Sequence, residues 1–174
     1  LAVLAARSGR RVLVLDADLG LANVEILYGL KPRYHLGHLL DGDVPVRDII
    51  AEGPEGVKVL PAGHGLQTLT RLDEAQRMRL VAAVDQLEED FDIIFVDCGA
   101  GIGDNVLFFI GAAQEALLVV SPEPTSLTDA YATLKVLCQE GGARYFNVVV
   151  NQAPNEAVAK DIFDRLSSVV SRFL

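Results

Sequence analysis

Short, continuously apolar runs rich in Val, Ile and Leu recur along the chain: Val12–Leu15, Val57–Leu60, Ile93–Val96, Leu117–Val120 and Val148–Val150. Side chains of a strand alternate between its two faces, so a run without polar interruptions reads as a parallel strand buried on both sides. The stretches between them carry helical periods. Leu127, Ala130, Tyr131, Leu134, Leu137 and Cys138 share one face of a helix that follows the turn signal Pro122–Pro124. Val158, Ile162, Leu166, Val169, Val170 and Phe173 form a second stripe, and Val81, Val84 and Leu87 a third. Strands alternating with helices of this length predict an α/β fold, doubly wound, with a mainly parallel sheet and helices on both faces. Residues 29–56 are the least regular part, with short helices expected around Leu36–Leu40 and Val46–Ala51.

No repeat, low-complexity tract or linker divides residues 1–174, so a single domain is expected. An apolar fraction of 51% with 22% charged residues suits a chain that buries a core and excludes disordered and fibrous classes. No apolar run approaches the ~18–20 residues of a membrane span. Residues 1–6 lack the basic leader and cleavage site of a signal peptide, and a cytoplasmic location is expected. The net charge of −9, with no clustered basic patch, argues against direct binding of nucleic acid. Cys98 and Cys138 have neither a CxxC spacing nor a histidine at ligand distance, so both read as reduced thiols.

In open α/β sheets, ligands bind beyond the carboxyl ends of the strands. The first run ends in Asp16-Ala17-Asp18, then Leu19-Gly20-Leu21-Ala22-Asn23, and the third in Asp97-Cys98-Gly99-Ala100-Gly101. The last two end in Ser121-Pro122-Glu123-Pro124 and Asn151-Gln152-Ala153-Pro154. A carboxylate at a strand tip, as at Asp97, can hold the water ligands of Mg²⁺ beside nucleotide phosphates, and it can equally cap the next turn. For Asp16 and Asp18 the chemical account has one carboxylate orienting a water while the other supports the metal's shell. The plainer account makes Asp18 the N-cap of a helix starting near Ala22, with Asp16 solvated.

The stretch LVLDADLGLANVEILYGL resembles the switch I region of the MinD/ParA family of P-loop ATPases, and DIIFVDCGAGIGD resembles their Walker B and switch II segments. SPEPTSLTDAYATLKVL is similar to the segment typical of the FleN/FlhG branch, which controls flagellar number and placement. The resemblance runs over essentially the whole chain in the expected order. It implies a P-loop NTPase-like fold, an ATP and Mg²⁺ requirement, and slow hydrolysis of ATP to ADP and phosphate. By the same resemblance Asp18 positions the attacking water, Asp16 is its companion, and Asn23 lies near the terminal phosphate. Asp97 then holds the Mg²⁺ water shell, Gly101 senses the γ-phosphate, Asn151 reads adenine, and Pro122 and Glu123 lie near base or ribose. Implied partners are a second copy in an ATP-dependent homodimer and a flagellar transcription activator or assembly protein.

The sequence departs from the family at one point. It contains no GxxxxGK[ST], the loop that cradles and neutralises phosphates. The expectation is a chain cut at both ends, with a central strand and phosphate loop preceding Leu1 in the natural protein. Without that strand, buried backbone groups beside the strand ending at Asp97 go unpaired, at on the order of 1–3 kcal/mol each. The chain as printed is then expected not to bind ATP tightly or hydrolyse it alone. Relatives also continue past the end with an amphipathic membrane-targeting helix, so membrane association belongs to the complete protein.

Other residues read structurally. His35 and His38 can share a helix face but have no third ligand, His64 sits in a glycine-rich turn, and Cys98 fills a tight turn. Tyr131 belongs to an apolar stripe, whereas Asp129 lies off it, on a surface open to a partner. The competing functions are an ATP-dependent dimerising switch, a non-catalytic protein-binding adaptor of the same fold, and an unrelated doubly wound domain using another nucleotide. Against the last, GAGIG at 99–103 lacks the GxGxxG spacing of a dinucleotide site.

Overall fold

The computed structural model describes residues 1–19, 22–63, 71–139 and 146–173. His64, Gly20 and Leu21 therefore lie outside the described residues. The chain divides into two compact units, Leu1–Gly99 and Ala100–Leu174.

The first unit runs α1 (Ala2–Arg7), β1 (Val12–Asp16), α2 (Val24–Leu27), α3 (Leu36–Asp41), α4 (Val46–Ile49), β2 (Ala51–Glu52), β3 (Lys58–Leu60), α5 (Glu74–Asp85) and β4 (Ile93–Asp97). Its sheet has the order β2-β3-β1-β4. β1 is parallel to both β3 and β4, and the short β2 pairs antiparallel with β3. That antiparallel turn-back is missing from the sequence reading, because two residues are too few to show any periodicity. It also ends the predicted second short helix early, at Ile49 rather than Ala51.

β1 is buried along its whole length, as its uninterrupted apolar sequence requires. Val12 and Val14 pack with Val57 and Val59 against Ala2, Val3, Ala5 and Ala6 of α1 and against Val24, and Phe95 joins from β4. By alternation, Leu13 and Leu15 face the other side, where both are fully buried. In α5 the buried residues are Leu80 and Ala83, followed by Leu87 just beyond the helix, while Val81 is exposed. Of the sequence stripe Val81–Val84–Leu87, Leu87 is fully buried and Val84 half-buried, and only Val81 turns out to solvent, with Leu80 and Ala83 taking the core-facing positions. Asp73 and Gln76 form a reciprocal capping box that starts this helix.

The second unit contains α6 (Asp104–Ala112), β5 (Ala116–Val120), α7 (Pro124–Gln139), β6 (Phe146–Val150) and α8 (Glu156–Phe173). β5 and β6 pair in parallel, Val120 opposite Val150. One face of this pair carries the core: Val120, Ala130, Leu134, Ile162 and Leu166, with Leu118, Leu127, Tyr131, Phe146, Val148, Val150, Val158 and Val170 around them. Both helical stripes read from the sequence meet there. Their edges do not, since Cys138 and Val169 are exposed. The strands also differ from expectation, because Leu117, Val119 and Val149, on the alternate positions, are exposed. Among the described residues, no helix is long and apolar enough to cross a membrane.

Candidate functional site

The parallel register of β1 and β4 places Asp16 directly opposite Asp97 at the carboxyl ends of adjacent strands. The chain leaves β1 tied to β4, with the Ala17 N–H donating to the Asp97 carbonyl at 2.9 Å. Two residues on, the Asp18 carboxyl lies over Gly99, where a Cβ would come within 3.1 Å of its Cγ and 3.2 Å of both oxygens. A side chain at position 99 would therefore press on the Asp18 carboxyl. Asp16, Asp18 and Asp97 are in this way gathered at one end of the sheet from segments some eighty residues apart in sequence.

Asp16 is 1% exposed. Its Oδ1 accepts the Asp18 N–H at 3.3 Å, and its Oδ2 accepts the N–H groups of Asn23 and Val24, each at 3.1 Å. Burial raises its pKa above the usual carboxylate value; the three N–H groups pull it back, and the charge of Asp97 adds to the rise. These contacts depart from the plainer sequence account. Asp16 is not solvated, and α2 begins at Val24 after an Asn23 whose own side chain makes no capping bond. The helix is capped by a carboxylate from the preceding strand.

Asp97 is exposed at the strand tip, with a pKa raised by partial burial and by the charge of Asp18. Burial, Asp97 and Asp18 together push the neighbouring Cys98 thiol up to about 11, so it stays protonated at neutral pH and is a poor nucleophile. Among the described residues, no three His, Cys, Asp or Glu side chains gather closely enough to hold a metal ion by themselves. The exposed Asp97 carboxylate at the strand tip is the kind of donor that fits Mg²⁺, which keeps several waters and takes one or two carboxylates beside phosphate oxygens.

In the second unit, the parallel pairing of β5 and β6 brings the other candidates to one edge. The Asn151 N–H donates to the Val120 carbonyl at 2.7 Å, which ties the end of β6 to the end of β5. Pro122, Glu123 and Asn151 are all exposed there. The Ser121 N–H donates to Ser126 Oγ at 2.9 Å, so the turn into α7 is held by its own serine. Gly101 has φ of 100°, a left-handed conformation that glycine tolerates.

His35 and His38 are structural. His35 Nδ1 accepts the Gly37 N–H at 3.2 Å while His38 Nδ1 accepts the His35 N–H at 3.3 Å, a capping box for α3 made of two imidazoles with ring centroids 4.0 Å apart. This cap is not legible in the sequence, where the two histidines show only a shared helix face, because the usual signature of such a cap is Ser or Thr followed by Glu or Gln.

Residues 1–139 match the AAA domain family. The chain belongs to that family. Within it, the chain falls in the MinD/ParA group and its FleN/FlhG branch. It is 44% identical over its full length to the antiactivator FleN of Pseudomonas aeruginosa, and 29% identical over 94% of its length to the flagellum site-determining protein YlxH of Helicobacter pylori. The chain spans 62% of the first relative's length and 55% of the second's. Among solved structures, it resembles the septum site-determining protein MinD complexed with Mg-ADP from Pyrococcus horikoshii. The TM-score is 0.72 at 26% identity, covering 92% of this chain and 68% of that one. The fold is α/β with a mostly parallel sheet, as the apolar runs predict, and of the MinD-like P-loop NTPase kind, as the resemblance implies.

Proposed function

We propose that this chain is the switch-bearing part of a MinD-like, Mg²⁺-dependent ATPase that regulates flagellar number or placement by forming an ATP-dependent homodimer. The observation that carries this reading is the Asp18 carboxyl packed over Gly99 beside Asp97 at the joined ends of β1 and β4. Membership of the FleN/FlhG branch supports the flagellar assignment, with a flagellar transcription activator or assembly protein reading the dimer.

Bound Mg²⁺ would supply charge neutralisation on the phosphates as the terminal one departs. Asp97 holds the metal's water shell, which its exposed position allows and which relieves its crowding by Asp18. Asp18 orients the attacking water, and Asn23, exposed at the start of α2, contacts the terminal phosphate. The backbone at Gly101 senses that phosphate. Asn151 reads the adenine, with Pro122 and Glu123 beside base or ribose.

The chain spans 62% of the length of its antiactivator relative, so the tests use the full-length protein. Asp18→Ala is expected to abolish hydrolysis while leaving ATP affinity by calorimetry within about threefold, and Asp97→Ala to raise the Mg²⁺ concentration needed for binding. Retained turnover in Asp18→Ala, or an unchanged Mg²⁺ requirement in Asp97→Ala, overturns the corresponding assignment. Absence of Mg-ATP binding by the complete protein moves the function to the protein-binding adaptor.

A further inference from the structure

The resemblance groups Asp16 with Asp18 as a catalytic pair, but Asp16 is enclosed by the backbone around it. Asp16 is 1% exposed, and both of its oxygens are occupied by backbone donors. One oxygen holds the N–H of Asp18, and the other holds the N–H groups of Asn23 and Val24. The donors therefore come from the two ends of the segment between β1 and α2. Asp16 itself is the last residue of β1, fixed by pairing with Asp97. With three backbone donors on it and 1% exposure, this carboxylate has little room to take a proton from water or to bind a metal. What it does instead is tie both ends of the segment to one rigid strand.

We infer that Asp16 is a positioning residue, a carboxylate clamp that sets the backbones of Asp18 and Asn23 relative to the Asp97 strand tip and touches neither phosphate nor metal. This inference rests on the ATPase reading for its kinetic consequence, and on geometry alone for the clamp. Three N–H bonds to one charge are charge-assisted and directional, so they fix position as well as bind. Removing them leaves the ends of the segment held by the Ala17 N–H bond to Asp97 and by the packing of Leu19 and Val24, both buried. That packing keeps the fold and loses the sub-ångström placement on which orienting a water depends.

The test compares the complete protein with Asp16→Ala, Asp16→Asn, Asp18→Ala and Asp97→Ala. Amide hydrogen exchange at Asp18, Asn23 and Val24 is read without nucleotide, and kcat, KM for ATP and the Mg²⁺ half-saturation are read with it. The clamp predicts fast exchange at these amides in Asp16→Ala, with no such change in Asp97→Ala. It predicts a kcat loss of about a hundredfold with KM and Mg²⁺ half-saturation within about threefold of wild type. Asp16→Asn keeps one acceptor oxygen, so its exchange and kcat fall between wild type and Asp16→Ala; this milder variant decides the matter if Asp16→Ala does not fold. Unchanged exchange at the three amides in both Asp16 variants overturns the clamp. A shifted Mg²⁺ half-saturation matching that of Asp97→Ala also overturns it, making Asp16 a metal-site residue. If the wild-type protein hydrolyses no ATP, the ATPase reading fails by itself, and the exchange arm still judges the clamp.

Discussion

At residue scale, the site turns on which carboxylate is enclosed and which is not. Asp16 and Asp97 sit opposite each other in register, yet one is sealed by backbone N–H groups and the other lies open at the strand tip. Their types and spacing are legible in the sequence, whereas their division of labour is not. The donors to Asp16 lie up to eight residues ahead, and only the closing of the chain between β1 and α2 brings them there. Gly99 is the companion case, a glycine whose contact with the Asp18 carboxyl no local sequence pattern announces. Gly99→Ala is expected to push that carboxyl aside by a few tenths of an ångström. Hydrolysis by the complete protein should then fall about tenfold, with the thermal midpoint nearly unchanged. Steady-state kinetics beside circular-dichroism melting checks this, and unaltered kcat means that the position of Asp18 is not limiting.

At element scale, the apolar stripes of α7 and α8 find each other across β5 and β6 as their periodicity requires, because burying two amphipathic faces on a sheet needs no further information. The edges of the stripes miss where the sequence pattern admits one residue too many, as at Val169, Cys138 and Val81. Each turns about 100° from its neighbour on the helix, and tertiary packing selects the phase. α3 carries a different signal. Burial, with the nearby charge of His38, lowers the pKa of His35 from 6.5, opposed by Asp41, and the loop against it offers the uncharged Pro61 and Gly63. A base with a depressed folded pKa is protonated more readily in the unfolded chain, so its contribution is complete above about 6.5 and is lost as pH falls through the folded value. Protonation of His35 also removes the Nδ1 acceptor that holds the Gly37 N–H. The thermal midpoint of the complete protein is therefore expected to fall between pH 7 and pH 5.5 or so. His35→Asn, an N-cap that does not titrate, should reduce that slope. Equal slopes in the two proteins refute the role of the cap.

At the scale of the whole molecule, the surface charge and the proposed chemistry lead to an association test. With a net charge of −9 and no clustered basic run, the proposed nucleotide switch is expected to be read through protein contacts. Light scattering on the complete protein is expected to show a doubled mass with Mg-ATP and a single-copy mass with ADP. Asp18→Ala should hold the doubled state longer than wild type because its nucleotide persists. An unchanged mass in all states removes the dimerising switch and leaves the adaptor.

The strand runs, the helix stripes and the carboxylates at the strand ends are written in the sequence, because each depends on periodicity or on position relative to an apolar run. Register, enclosure and contact depend on residues distant in the chain. The alignment of Asp16 with Asp97, the filling of both Asp16 oxygens, the seating of Asp18 on Gly99 and the imidazole cap of α3 were settled by the packed structure. The physical reason is that hydrogen bonds are directional and short-ranged, so their partners are fixed once the chain has closed on itself.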